Sequence, residues 1–339
     1  MNYNDVLNNA RTCIGNYCKA CPECNGKACR NQIPGPGAKG IGDVAIRNYD
    51  AWKDIRVVMD TMVDNAPVDT SVTMFDHTFD LPVFAGPVGA VNLHYGDKND
   101  DMTYNNIIVN ACAANGIMAF TGDGTNPQVM EAAARAIHNA YGLAVPTIKP
   151  WNIDTIKEKM DLVASSDPVA IAMDIDAAGL PFLQNMTPPA GSKSVEQMKQ
   201  IISMTDKPFI IKGIMSVKGA LKAKEAGASA IVVSNHGGRV LDQTQATAEV
   251  LEDIVKAVGN DMTILVDGGI RSGADIFKAL ALGADGVIIA RPFVVSLYGG
   301  EAEGISAYIA KLKGELVDVM KMTGCATLKD ITRDKVVTK

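Results

Sequence analysis

The sequence is poor in aromatic residues, at 5% of 339 positions. No segment strings together the ~20 apolar residues that a membrane-spanning helix needs. Lys and Arg form no basic block and the formal net charge is −6. Neither a nucleic acid nor an anionic membrane surface is therefore an expected partner. The polar opening Met1-Asn2-Tyr3-Asn4-Asp5 lacks the charged-then-apolar plan of a secretory signal. Histidine is scarce, with four residues. Cysteine is not, but seven is an odd number, and five of them fall between positions 13 and 29. That crowding does not suit a disulfide framework. It suits a reducing cytoplasm and one local cysteine site.

What is present is a hydrophobic fraction of 47% and 31 glycines. Many tight turns around an aliphatic interior are the composition of an α/β barrel. Residues 1–45 stand apart as a Cys-rich, Gly/Pro-rich extension, with Ile33 to Gly42 too rich in Gly and Pro for a helix or central strand. From about residue 80 short β-branched runs alternate with amphipathic segments. Strands are expected at 81–88, 116–121, 143–149, 169–175, 208–214, 230–235, 263–267 and 286–290. Helices are expected near 101–114, 127–141, 152–165, 194–204, 216–226, 246–259, 272–282 and 301–323. Eight strand–helix units predict a (β/α)8 TIM barrel over 46–339, although an open doubly wound sheet shares the rhythm.

In such a barrel the chemistry sits on the loops after the strands. Strand seven is followed by Asp267-Gly268-Gly269-Ile270-Arg271 and strand eight by Ala290-Arg291. Glycines admit an anion to the backbone and the arginines offer forked donors, so these two turns are the expected phosphate site. Strand five ends in Lys212 and strand six in Ser234-Asn235-His236-Gly237-Gly238-Arg239. A strand-end histidine is a natural general base near neutral pH. A neighbouring arginine can bind a carboxylate, and a lysine can hold charge beside a flavin. His77, His94 and His138 lack such neighbours and read as ordinary core or turn residues.

Residues 234–242 resemble the signature of the FMN-dependent α-hydroxy-acid dehydrogenases and oxidases. Asp267 to Arg271, 277–284, Arg291-Pro292 and 322–331 continue the likeness, which is dense over 205–335 and looser over 47–180. The resemblance implies FMN as cofactor and oxidation of a small 2-hydroxy acid, or a related anionic alcohol, to the keto product. It implies His236 as base, Asp176 as its orienting carboxylate, Arg239 on the substrate carboxylate and Lys212 beside the flavin. Pro87, Val88, Gly89, Thr147, Lys149, Asp174 and Ser234 would line the flavin, with Asp267, Gly268, Gly269, Arg271, Ala290 and Arg291 on ribityl and phosphate. A homo-oligomer and an external electron acceptor are implied as well. A flavin barrel of the type 2 isopentenyl diphosphate isomerase kind, or an idle flavin-binding module, is the alternative.

The chain also departs from that pattern. Thr147-Ile148-Lys149 replaces a Gln-x-Tyr pattern, Asp174 stands for a threonine, and the loop after strand four is only about 18 residues with no arginine before Lys193. Lys149 is a candidate replacement cation for the substrate or a flavin contact. The N-terminal spacing Cys13-x4-Cys18-x2-Cys21-x2-Cys24-x4-Cys29 has three readings. These are free thiols or one redox disulfide, a zinc site, and an iron–sulfur cluster, with Cys18, Cys21, Cys24 and Cys29 as candidate ligands. Cys112 and Cys325 read as buried thiols.

Overall fold

The computed structural model describes residues 1–180, 183, 185–186 and 190–339. Part of the loop after the fourth barrel strand therefore lies outside the described residues. The chain opens with α1 (Tyr3–Cys13), held by a capping box in which Asn2 and Asp5 exchange side-chain-to-backbone bonds. Next come α2 (Val44–Asp54), β1 (Ile55–Val57) and the hairpin β2 (Val72–Met74) with β3 (His77–Phe79).

The barrel then begins with β4 (Val83–Ala85), α3 (Val91–Tyr95), α4 (Asp101–Ala114), β5 (Ala119–Thr121), α5 (Pro127–Asn139) and β6 (Ala144–Ile148). It continues through α6 (Ile153–Ala164), β7 (Ile171–Asp174), α7 (Val195–Ile202), β8 (Phe209–Ile214), α8 (Val217–Glu225) and β9 (Ala230–Val233). It finishes with α9 (Thr247–Val258), β10 (Thr263–Val266), α10 (Gly273–Ala281), β11 (Gly286–Ile289) and α11 (Arg291–Met322). Strand β12 (Val336–Thr338) returns to pair antiparallel with β1.

Strands β4 to β11 close on themselves in parallel, β11 pairing with β4, which is the expected (β/α)8 barrel. All eight are buried along nearly their whole length, as the aliphatic runs require. Helix starts follow local chemistry. Asp100, Asn152, Ser194, Ser216 and Ser272 each cap a backbone N–H two to three residues into the helix they open. The β2–β3 hairpin packs at the opposite end of the barrel from the strand C-termini. Phe79 meets Phe84 edge-on at 5.2 Å, and a Cβ on Gly286 would stand 3.0 Å from Met74 Cε.

The helix expected near 301–323 is preceded by a helical segment that was not expected. This segment starts at Arg291, where Pro292 suits a first helical turn, and joins the expected helix across a break at Gly300 and Glu301. The first part of α11 receives α1. A Cβ on Gly299 would fall 2.1 Å from the Val6 carbonyl oxygen, so only glycine lets the two helices approach this closely. Val6 and Leu7 are buried there, each contributing about 1.5–3 kcal/mol relative to exposure. Among the described residues no helix is long and apolar enough to cross a membrane.

Candidate functional site

The C-terminal strand ends surround a cavity of about 770 Å³, inside the roughly 300–1,000 Å³ typical of cofactor and small-ligand sites. Pro87, Val88, Gly89, Thr147, Lys149, Asp174, Lys212, His236, Arg239, Asp267, Gly268, Gly269, Arg271, Ala290 and Arg291 all line it. Ser234 and Asp176 stand directly behind, bonded to Lys212 and His236. The site residues expected from the sequence are thus brought together around one space.

His236 is presented by an unusual backbone. It and the two glycines after it have φ of 57°, 63° and 79°, three consecutive left-handed residues. The turn is anchored from below by a reciprocal amide pair, Asn48 Nδ2 to Asn235 Oδ1 at 2.8 Å and Asn235 Nδ2 to Asn48 Oδ1 at 2.9 Å. The imidazole Nδ1 lies 3.0 Å from Asp176 Oδ1. Among the described residues no protein group bonds Nε2, which leaves that nitrogen available on a ring that lines the cavity. Burial pushes the Asp176 carboxyl up, but the charges of His236 and then Lys212 outweigh it and hold the group below its ordinary value.

Lys212 is 3% exposed. Burial works against its charge, but Asp267, Asp176 and Asp174 outweigh burial and raise its pKa. Its Nζ donates to Ser234 Oγ at 2.9 Å and sits 3.4 Å from Asp267 Oδ2. Lys149 reaches the cavity too, but its ammonium is paired with Asp174 at 3.3 Å. Thr147 Oγ1, Asp174 Oδ1 and Asp267 Oδ1 are buried without a partner among the described residues. Unpartnered polar atoms on the wall of a cavity are groups placed for a ligand.

The three arginines are tied to the N-terminal segment. Arg239 Nη1 donates to the carbonyls of Gly35 and Gly37 at 2.7 and 2.9 Å. Arg291 Nε donates to Pro36 O at 2.8 Å, and Arg271 Nε to Cys24 O at 2.7 Å. Burial, then repulsion from Arg291, lowers the Arg239 pKa to about 10, which still leaves it charged at neutral pH.

Two functional candidates escaped the sequence reading. His94, expected to be an ordinary core or turn residue, lines the cavity instead. Its Nδ1 accepts from the Gly35 N–H at 2.9 Å and its Nε2 lies 3.3 Å from Arg239 Nη2. Burial, then Arg239, holds its pKa down to about 4, so the ring is neutral near pH 7. A neutral imidazole accepts at one nitrogen only, and both the Gly35 N–H and the Arg239 guanidinium are donors aimed at this ring. Asp123 is the other. It is buried after β5 and is held by Lys159 Nζ at 2.6 Å, Trp151 Nε1 at 2.6 Å and the Lys149 N–H at 3.0 Å. Its place after a strand was the available signal; His94 had none, since its partners come from residue 35 and residue 239.

A family described as FMN-dependent dehydrogenase matches residues 36–182 and 182–338. The chain is similar to peroxisomal (S)-2-hydroxyacid oxidase GLO3 of Arabidopsis thaliana, 45% identical over 148 residues, covering 44% of this chain and 41% of that protein. It is also similar to glycolate oxidase 1 of Zea mays, 40% identical over 146 residues, covering 43% and 40%. These matches span about two fifths of the curated relatives' length. A crystal structure of mandelate oxidase superposes with a TM-score of 0.80 at 25% identity, covering 100% of this chain and 98% of that one. With both family segments laid along the barrel, the chain belongs to the FMN-dependent dehydrogenase family.

Proposed function

We propose that the chain binds FMN in the strand-end cavity and oxidises a small 2-hydroxy acid, or a related alcohol carrying an anion, to the 2-keto product. The observation that carries this reading is the His236–Asp176 pair at 3.0 Å, with Nε2 left available at the cavity wall.

The residues present fit the cofactor. The unpartnered atoms of Thr147, Asp174 and Asp267 await polar groups. Gly268 and Gly269 hold φ of 89° and 82°, and a Cβ on Gly269 would strike the Asn48 carbonyl oxygen at 2.0 Å, so this turn keeps its shape against α2 only as glycine. Gly268, Gly269, Arg271 and Arg291 would hold the phosphate and Asp267 the ribityl chain. Pro87, Val88, Gly89, Ala290 and Thr147 would border the ring, with Lys212, positioned by Ser234, beside its polar edge. Bound FMN supplies the acceptor for the hydrogen and electron pair that leave the substrate carbon.

The chain's own groups do the rest. Arg239, with His94 beside it, binds the substrate carboxylate. His236 Nε2 takes the hydroxyl proton, and Asp176 stabilises the imidazolium that results. Lys212, kept protonated by its carboxylate neighbours, offsets negative charge that builds beside it. Lys149 is committed to Asp174, which supports a supporting place at the flavin for that pair and leaves anion binding to Arg239 and His94. The likeness to the family also supports an external electron acceptor and a homo-oligomer, and the unpaired thiols suit a cytoplasmic setting. Anaerobic bleaching of the flavin band by 2-hydroxy acids tests the reading; a protein that binds FMN yet stays oxidised with every such acid would contradict the assigned reaction.

A further inference from the structure

The family match begins at residue 36, so the cysteines before it belong to no part of the reaction proposed above. Cys18, Cys21, Cys24 and Cys29 line one small cavity, walled by Tyr3 and Leu7 of α1 and by Pro36 and Arg291. None of the seven cysteines is in a disulfide. The other three are set apart. Cys13 spends its thiol on the Tyr298 carbonyl at 3.0 Å, Cys325 donates to Asp330 O at 3.3 Å, and Cys112 is buried under the barrel helices. Of the four around the cavity, Cys29 has a long sulfur contact of 3.9 Å to Gly26 O, Cys18 meets the Ala20 backbone and Cys24 the Arg271 side chain. Four cysteines lining one space, two of them beside hydrogen-bond donors, are placed for something that binds thiolates.

A single ion and a cluster make different demands. One zinc requires its ligands to converge, with each sulfur about 2.3 Å from the same point. Among the described residues no group of three or more Cys, His, Asp or Glu side chains is gathered to hold a metal ion, zinc included. A cluster spreads its irons over a core and takes one thiolate per corner, so its ligands ring a volume without meeting at a point. The spacing Cys18-x2-Cys21-x2-Cys24-x4-Cys29 supplies the three closely spaced thiolates and one distant thiolate that such a ring needs. The cationic Arg291 on the cavity wall and Arg271, bonded to the Cys24 carbonyl, offset the negative charge of four thiolates. We propose that Cys18, Cys21, Cys24 and Cys29 ligate an iron–sulfur cluster. Pro36 and Arg291 line this cavity and the strand-end cavity alike. The cluster therefore stands one layer of residues from the space assigned to FMN, as a redox centre added to the barrel at the end of that space bordered by Arg271 and Arg291.

The test uses the full chain purified without oxygen. Iron and acid-labile sulfide are expected in equal amounts, about four of each per chain for a cubane cluster or about two for the smaller type. Cys21→Ser and Cys24→Ser should lose most of the iron while Cys112→Ser keeps it. These contents are read whether or not FMN binds, so failure here is distinct from failure of the proposed oxidation. Zinc in place of iron would overturn the proposal, as would seven titratable thiols with no metal, or wild-type iron in both serine variants.

Discussion

His236 after β9 and Asp176 after β7 meet over the end of β8, the strand between theirs, Nδ1 to Oδ1 at 3.0 Å, because residue 213 of β8 is glycine. Gly213 holds φ of 103°, and a Cβ there would lie 2.5 Å from Asp176 Cγ. The carboxylate can reach the imidazole only over a backbone without a side chain. One absent methyl group thus lets the proposed base and its carboxylate meet.

Replacing His236 by Ala should leave flavin binding intact and slow anaerobic flavin reduction by a 2-hydroxy acid about 10²–10⁴-fold, the usual contribution of a placed base. Asp176→Asn should slow it in the same direction. Stopped-flow absorbance reads both, and an unchanged rate in His236→Ala would remove the proposed base.

Gly213→Ala tests the same pair indirectly. It puts a side chain at a positive φ and against Asp176. The expected result is slower reduction with near-normal flavin absorbance. A variant as fast as the wild type would show that the close approach is not needed.

The Arg239–His94 pair separates the proposed substrate binding from proton transfer. Arg239→Lys loses the forked geometry and should raise KM by roughly tenfold or more, the cost of a lost charged hydrogen bond. His94→Leu should raise KM more than it lowers kcat. Steady-state kinetics with one 2-hydroxy acid checks both, and a KM unchanged by His94→Leu contradicts the shared carboxylate site.

His94 also predicts a pH signature. Its folded pKa is held near 4 by burial and Arg239, against an ordinary 6.5. Between these values the unfolded chain binds the proton and the folded chain does not. Stability contributed by the neutral ring is thus fully present above 6.5 and is lost as pH falls toward 4. Melting temperatures followed across that window should drop more steeply for the wild type than for His94→Leu. Parallel curves would contradict the assignment.

Lys159 and Asp123 form a pair with side-chain exposures of 9% and 0%. Lys159→Met leaves the carboxylate without its cation and should cost about 3–5 kcal/mol, read from urea midpoints. A loss below about 1 kcal/mol, the worth of a surface pair, would show that the pair behaves as an exposed one.

The barrel was legible because its strands are continuous aliphatic runs that end in Gly, Pro, Asp or Lys, and Lys212, Asp267 and Arg291 sit where those runs stop. The turn from Ser234 to Arg239 was legible for the same reason. Helix α1 was not, since its packing depends on glycines almost 300 residues away. Asn48 was equally hidden: an asparagine inside an amphipathic helix gives no sign that it will pair with Asn235. His94 was misread because its role arises from Gly35 and Arg239, which approach it only when the N-terminal segment folds over the barrel mouth. The helical segment from Arg291, ahead of the helix expected near 301, was missed because the phosphate-site reading of that residue concealed a helix start there.

The most direct measurement of the central claim is an absorption spectrum of the purified, FMN-reconstituted protein before and after anaerobic addition of a panel of small 2-hydroxy acids. The account predicts bound flavin bands that bleach with at least one acid and bleach far more slowly in His236→Ala. A protein that cannot be made to hold FMN, or bleaching as fast without His236 as with it, would contradict it.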